Sequence, residues 1–106
     1  MIIPERLKGK RLRQVLEMRN FLIECAKSQK TTYYEEVAKE CDSINNKAWR
    51  SIGGLLGDLS EIENDHIKHE LNSLVRHKDD NKVGSSWTGG DRDPEIYTQR
   101  AFNRYK

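Results

Sequence analysis

No apolar run in this chain approaches the roughly 20 residues that a membrane-spanning helix needs, so a bilayer protein of that kind is not expected. No apolar segment of signal-peptide type follows Met1-Ile2-Ile3-Pro4, and cytoplasmic residence is the resulting expectation. Cysteine is scarce, with only Cys25 and Cys41. Both fall in helix-like segments. A reducing compartment disfavours a disulfide between them, and free cysteine ordinarily packs as a small core residue. Internal repeats and low-complexity tracts are missing too. So is a strong excess of one charge, because the net charge is only +2. A strong nucleic-acid binder is usually more basic than this.

What is present is one domain's worth of chain. The 106 residues leave room for one modest core. Hydrophobic residues make up 35% and charged residues 34%, a polar balance whose periodic apolar segments still argue against disorder. The charge is unevenly spread. Residues 1–30 hold eight Lys+Arg against three Asp+Glu, a balance of +5. Residues 31–70 hold four against nine, or −5, and residues 71–106 hold seven against five, or +2. That pattern fits a modest phosphate contact or a protein partner.

Residues 5–28 read as one helix. Leu12, Val15, Leu16, Arg19, Leu22, Ile23 and Ala26 recur at spacings of three and four and form a stripe. Cations crowd its start and oppose the helix dipole, and Gly9 weakens the same turn. The ordered helix is therefore expected to begin near Lys10, with residues 1–8 as a basic flexible arm and residues 9–106 as the domain. Thr32-x-x-Glu35 reads as a capping box opening a second helix with Tyr34, Val37, Ala38 and Cys41 on one face. A polar break at residues 42–46 leads to a third helix over residues 47–59, with Trp49, Ile52, Leu55, Leu56 and Leu59 inward. Ser60-x-x-Glu63 reads as another capping box, and residues 61–69 as a short helix. Residues 71–77 read as a strand with Leu71, Ser73 and Val75 on one face, Asp79-Asp80-Asn81 as a turn, and residues 83–87 as the returning edge. Asp93 and Pro94 start a last helix with Ile96, Tyr97, Ala101, Phe102 and Tyr105 on its apolar side.

Two short helices across a polar turn, followed by a hairpin, outline a winged helix-turn-helix. The expected fold class is mainly α with a small β-hairpin, in a single winged-helix-like domain. In such folds the second helix of the pair enters the major groove. Its early residues here are Asn45, Asn46, Lys47, Arg50 and Ser51. Asn can pair an adenine edge and Arg a guanine edge, while Lys and Ser suit phosphates. Arg76, Lys78 and Lys82 surround the expected wing, and Lys8, Lys10, Arg11 and Arg13 make the basic arm. The bland alternative is a set of ordinary solvated faces. Gly53-Gly54-x-x-Gly57 costs helix stability of about 1 kcal/mol per glycine, which points to close approach by another helix or by a phosphate backbone. It is no phosphate-binding loop, lacking the Lys-Ser/Thr that follows one. His66-x-x-His69 with His77 lacks the usual i,i+4 register and a closing ligand, so no metal or cofactor is expected. No nucleophile–base set stands out, and an enzyme is not expected.

The segments Thr32-x-Tyr34-x-Glu36-Val37-Ala38, Ile52-Gly53-Gly54-Leu55-Leu56 and Ser73-Leu74-Val75-Arg76-x-Lys78-Asp79 resemble the winged-helix domain of alkylguanine-DNA alkyltransferases and alkyltransferase-like proteins. The resemblance stops at the reactive strand, where this chain has Asn72-Ser73-Leu74-Val75 and no Cys, so alkyl transfer is not implied. Residues 30–106 resemble more closely small bacterial winged-helix-like modules found beside restriction and defence nucleases. The matching stretches are Tyr34 to Ala38, Ile52 to Ser60, Leu74 to Asp79, Gly84 to Trp87 and Glu95 to Tyr105. Gly84-Ser85-Ser86-Trp87 lacks the second glycine of that pattern. The resemblance implies a defence-associated bacterial or phage protein with a winged-helix fold. Nucleic acid, duplex DNA before RNA, is the expected partner. The alternative is a protein-interaction or inhibitor module, such as an immunity or anti-defence protein, working through its acidic middle.

Overall fold

The computed structural model describes residues 1–44, 51–84 and 87–106. In chain order its elements are α1 (Gly9–Lys27), β1 (Thr32–Tyr33), α2 (Tyr34–Glu40), α3 (Ile52–Ile62), a 3-10 turn (Asn72–Leu74), β2 (Val75–Arg76) and α4 (Pro94–Arg104). The described residues thus form a mainly helical domain with a small two-stranded sheet.

The helix α1 begins where the backbone allows it to. Gly9 sits at φ +60°, a left-handed conformation that glycine adopts without a Cβ penalty. No side chain caps that end. The buried face of α1 is Val15, Met18, Leu22 and Ala26, at helical spacing. Leu12, Leu16 and Ile23 lie at its half-buried margin. Met18 was absent from the stripe read in the sequence and stands at its centre. The helix makes its most extensive contact with α3, whose Ile52, Leu55, Leu56, Leu59 and Ile62 are buried. The helix α2 contributes Tyr34, Val37 and Ala38, with Cys41 just beyond, as its apolar face foretold. Asp93 caps α4 by accepting a hydrogen bond from the Glu95 amide, with Pro94 in the first turn. On that helix Thr98 and Ala101 are the buried residues, while Ile96 is exposed.

Several local expectations are corrected. Thr32 is no helix cap. It lies in β1 and its hydroxyl donates to Glu36, 2.8 Å away. Ser60 does not start a new helix either. It continues α3 and donates back to the Gly57 carbonyl at 2.8 Å, a bond that mid-helix serines often make. The helix expected over residues 61–69 gives way, after Ile62, to a run of turns closed by bonds such as Ile67 N–H to Asn64 C=O. The expected antiparallel hairpin is replaced by a parallel pairing of β1 with β2, Thr32 opposite Val75 and Tyr33 opposite Arg76. The turn after β2 does form: the His77 amide donates to the Lys82 carbonyl, and Asn81 takes a positive φ of 59°. Val83, Gly84 and Trp87 then form no strand. The fate of Trp49 lies outside the described residues.

Candidate nucleic-acid interface

The helix α2 is short, and its two ends meet different segments of the chain. Beyond its last residue the chain turns at Cys41 and is tied to α1. The Gln14 side chain donates to the Ser43 carbonyl at 2.9 Å, and the Ser43 amide donates to Glu17 at 3.2 Å. The turn that leads out of α2 is therefore held against the amino-terminal half of α1. That half carries Lys8, Lys10 and Arg13, all exposed and none in an ion pair with a described residue.

Two neighbouring arginines are not free in this way. Arg6 and Arg11 both donate to Asp58 of α3, at 2.9 Å and 2.7 Å. Arg6 also pairs with Glu61. Asp58 is buried. The route to it runs over Gly54, one helical turn earlier. A Cβ on Gly54 would lie 3.0 Å from an Arg11 guanidinium nitrogen. The approaching group is the far end of a flexible side chain, not another helix backbone, and it can shift to admit a Cβ. A Cβ on Gly57 would meet nothing within 4 Å. Arg11 is thus a bridge between α1 and α3, whereas Lys8, Lys10 and Arg13 project to solvent. Leu7 is buried beside them and the Ile2 amide donates to the Ile62 carbonyl. Those contacts dock the first residues on the end of α3.

At the other end of α2 lies the loop 77–82. His77 stacks on Tyr34, the first residue of α2, with ring centroids 5.1 Å apart. Lys78 and Lys82 are exposed and make no ion pair with a described residue. Arg76, expected among the phosphate contacts, is 2% exposed. Its Nε donates to Ser73 C=O at 2.7 Å, its Nη1 to Asn81 C=O at 3.1 Å and to Glu95 at 2.7 Å, and its Nη2 to Thr98 at 2.9 Å. Every edge of the guanidinium faces protein. Arg76 is a correction to the sequence reading: it pins the loop from within and is no surface cation. Of the expected recognition residues, Ser51 is exposed immediately before α3. Asn46, Lys47 and Arg50 lie outside the described residues.

Cys41 is buried and Cys25 half-buried, and both are free thiols. Burial, with nearby glutamates, pushes Cys25 up to about 11 and Cys41 up to about 12. Neither is a thiolate near neutrality, so neither is an activated nucleophile. His69 and His77 belong to separate clusters. Among the described residues no group of three His, Cys, Asp or Glu side chains could hold a metal ion. His69 packs among Trp87 and Tyr97. Asn72 donates to Thr88 Oγ1 at 3.2 Å, and that oxygen lies 2.8 Å from His69 Nδ1. Burial, with Lys68 and Arg92, lowers the His69 pKa and favours the neutral form.

No family model, no curated protein and no solved structure matches this chain.

Proposed function

We propose that this chain is a non-enzymatic nucleic-acid-binding module, duplex DNA before RNA, that holds phosphates at both ends of α2. In this reading α2, the turn after it and α3 act as a helix-turn-helix pair, and the loop 77–82 takes the place of a wing. One observation carries the proposal. Lys8, Lys10 and Arg13 around the start of α1, and Lys78 and Lys82 on the loop 77–82, are exposed and make no ion pair with a described residue. The seven-residue helix α2, about 10 Å of axis at 1.5 Å per residue, lies between the turn tied to α1 and the His77 that stacks on Tyr34. Phosphates lie at intervals of a few ångströms along a strand, so one backbone can reach both groups.

The acidic middle offers less to a basic protein partner than its count of charges implied. Asp58, Glu61, Glu63 and Glu70 are paired within the chain, to Arg6, Arg11, Arg19 and Arg104. Much of the −5 of the middle is the counter-charge of the +5 that precedes it. That favours nucleic acid over the interaction-module reading.

The test is fluorescence anisotropy on a mixed-sequence duplex at several salt concentrations. Five phosphate contacts give a slope of log K against log salt near −4.5, at about −0.9 per contact. Replacing Lys10 and Arg13 together by Ala should bring the slope about two units closer to zero. Absence of binding at low salt, or an unchanged slope in the double variant, would overturn the proposal.

A further inference from the structure

Beside the loop 77–82 lies a recess of about 110 Å³, walled by Tyr34, Glu35, Arg76, His77, Lys78 and Asp79. That is the scale of one edge of a heterocycle. It is too small for a peptide side of any length.

The recess is built, and its floor is fixed. Buried Arg76 ties the loop to Ser73 and Thr98 through its own hydrogen bonds. The loop is closed by His77 N–H to Lys82 C=O at 2.8 Å and by Asn81 N–H to His77 C=O at 2.9 Å. Tyr34 backs one face of the His77 ring, at an interplanar angle of 27°. The backbone at Gly84 presses on the same pair: a Cβ there would lie 2.5 Å from the Tyr34 hydroxyl and 2.8 Å from His77 Nε2. His77 itself is exposed. Pre-organisation of this kind holds a binding geometry in place before the ligand arrives.

The donors and acceptors of the walls narrow the ligand. Glu35 and Asp79 bring two carboxylates, which oppose a bare phosphate and accept from N–H groups. Lys78 brings one cationic donor. An aromatic platform, acceptors at one edge and lysines close by match an unstacked nucleobase read on its Watson–Crick edge. We infer that the recess takes such a base, stacked on His77 with its donor edge toward Glu35 and Asp79. The inference deepens the nucleic-acid reading and rests on it for the source of the base. Guanine is the preferred base, because its edge has two adjacent donors that one carboxylate can take together, with a carbonyl left for Lys78. Thymine, with a single donor between two acceptors, is the poorest.

Titration of isotope-labelled protein with each of the four nucleoside 5′-monophosphates, followed by NMR, tests this directly. The expected result is shifts at Tyr34, Glu35, His77 and Lys78, largest for the guanine nucleotide. They should be lost in His77→Ala, retained in His77→Phe, and reduced for guanine in Glu35→Gln. Equal shifts with inorganic phosphate, or none with any nucleotide at millimolar concentration, overturn the inference. Single-stranded and duplex oligonucleotides, the latter with and without a bulged guanine, then distinguish the sources of the base. Stacking of one base is worth about 5- to 150-fold in affinity, so His77→Ala should weaken the single strand or the bulged duplex about tenfold. Shifts with nucleotides but no binding to any oligonucleotide would leave the recess standing and overturn the nucleic-acid reading. Duplex binding without nucleotide shifts would do the reverse.

Discussion

Arg76 and Lys78 are two residues apart and stand for two different regions of this molecule. Under β2 and α4 the charge is structural: Arg76 is enclosed and its guanidinium makes four hydrogen bonds to protein groups. At the start of α1 and on the loop 77–82 the charge is available, with Lys8, Lys10, Arg13, Lys78 and Lys82 facing solvent. Between these extremes stand Arg6 and Arg11, half-exposed and joined to a buried aspartate. A sequence counts all of these as equal positive charges. The fold sorts them by where their counter-groups lie.

The contrast breaks most readily at Arg76. Replacing it by Met keeps much of the apolar stem and removes every donor. Buried acceptors left unpaired cost about 1–3 kcal/mol each. Arg76→Met deletes four hydrogen bonds and should lower stability by about 2–4 kcal/mol, at about 0.5–1.5 kcal/mol per bond, read as a lower urea midpoint with little change in slope. Glu95→Gln touches the same guanidinium from the other side and should cost far less. The Glu95 side chain is 69% exposed, and exposed partners contribute only about 0–1 kcal/mol. Equal losses in the two variants would mean that the ion pair, and not the buried carbonyls, gives Arg76 its value.

Asp58 tests the intermediate class. Asp58→Asn keeps the shape and removes the charge that holds Arg6 and Arg11. The stability cost should be about 1–2 kcal/mol, because charge-assisted bonds are lost while both arginines can turn to water. The proposed binding should move in the opposite direction. Two released cations would steepen the salt dependence of duplex binding by up to about two units, at about 0.9 per phosphate. Weaker duplex binding in this variant would place Arg6 and Arg11 among the ordered contacts.

Local signals were legible in the sequence where both partners are close along the chain. The Asp93–Pro94 start of α4 and the apolar face of α2 depend on spacings of one to four residues. The turn at Asn81 was legible for the same reason. Its wing was not, because β2 pairs with Thr32 and Tyr33, more than forty positions away, and the turn residues carry no trace of that choice. Thr32 was misread through the same gap. Its hydroxyl suits a cap, and only the position of β2 makes it a strand residue. Arg76 was misread because alternation assigns it to an outer face, whereas the 3-10 turn before it leaves both neighbouring faces covered. The pairing of the +5 and −5 regions through α1 and α3 is likewise a long-range fact. Of the candidate site, the exposed lysines could be named from sequence; the Tyr34–His77 stack and its recess could not.

A smaller effect separates His69 from the exposed histidines. Burial, then Lys68 and Arg92, hold its pKa below the ordinary histidine value. The folded protein therefore binds fewer protons at this site than the unfolded chain does. Stability should fall as pH drops below about 6.5, the unfolded value, and this loss should be complete once pH passes below the folded pKa. The same titration in Thr88→Val removes the hydroxyl that fills Nδ1 and should weaken the anchor already at neutral pH. A pH response between 7 and 5 that is unchanged in His69→Gln would assign it to the carboxylates instead.

The smallest expected effect lies at the far end of α1, where neither kind of charge is involved. The helix ends in a Schellman motif: Lys30 N–H donates to Cys25 C=O and Gln29 N–H to Ala26 C=O, both at 3.0 Å. That geometry needs a left-handed residue just past the cap, and Gln29 supplies it at φ 56°. Glycine is usual at this position because a Cβ makes the left-handed conformation unfavourable. Gln29→Gly relieves the strain but leaves the unfolded chain freer, which offsets part of the gain. The net should be a stabilisation of about 0.5–1 kcal/mol, a rise of several degrees in Tm for a domain of this size. Duplex binding should not change, because the turn lies at the opposite end of α1 from Lys8, Lys10 and Arg13. A loss of stability instead would mean that the Gln29 side chain contributes more than its backbone strain costs. A change in binding would place part of the interface at the carboxyl end of α1.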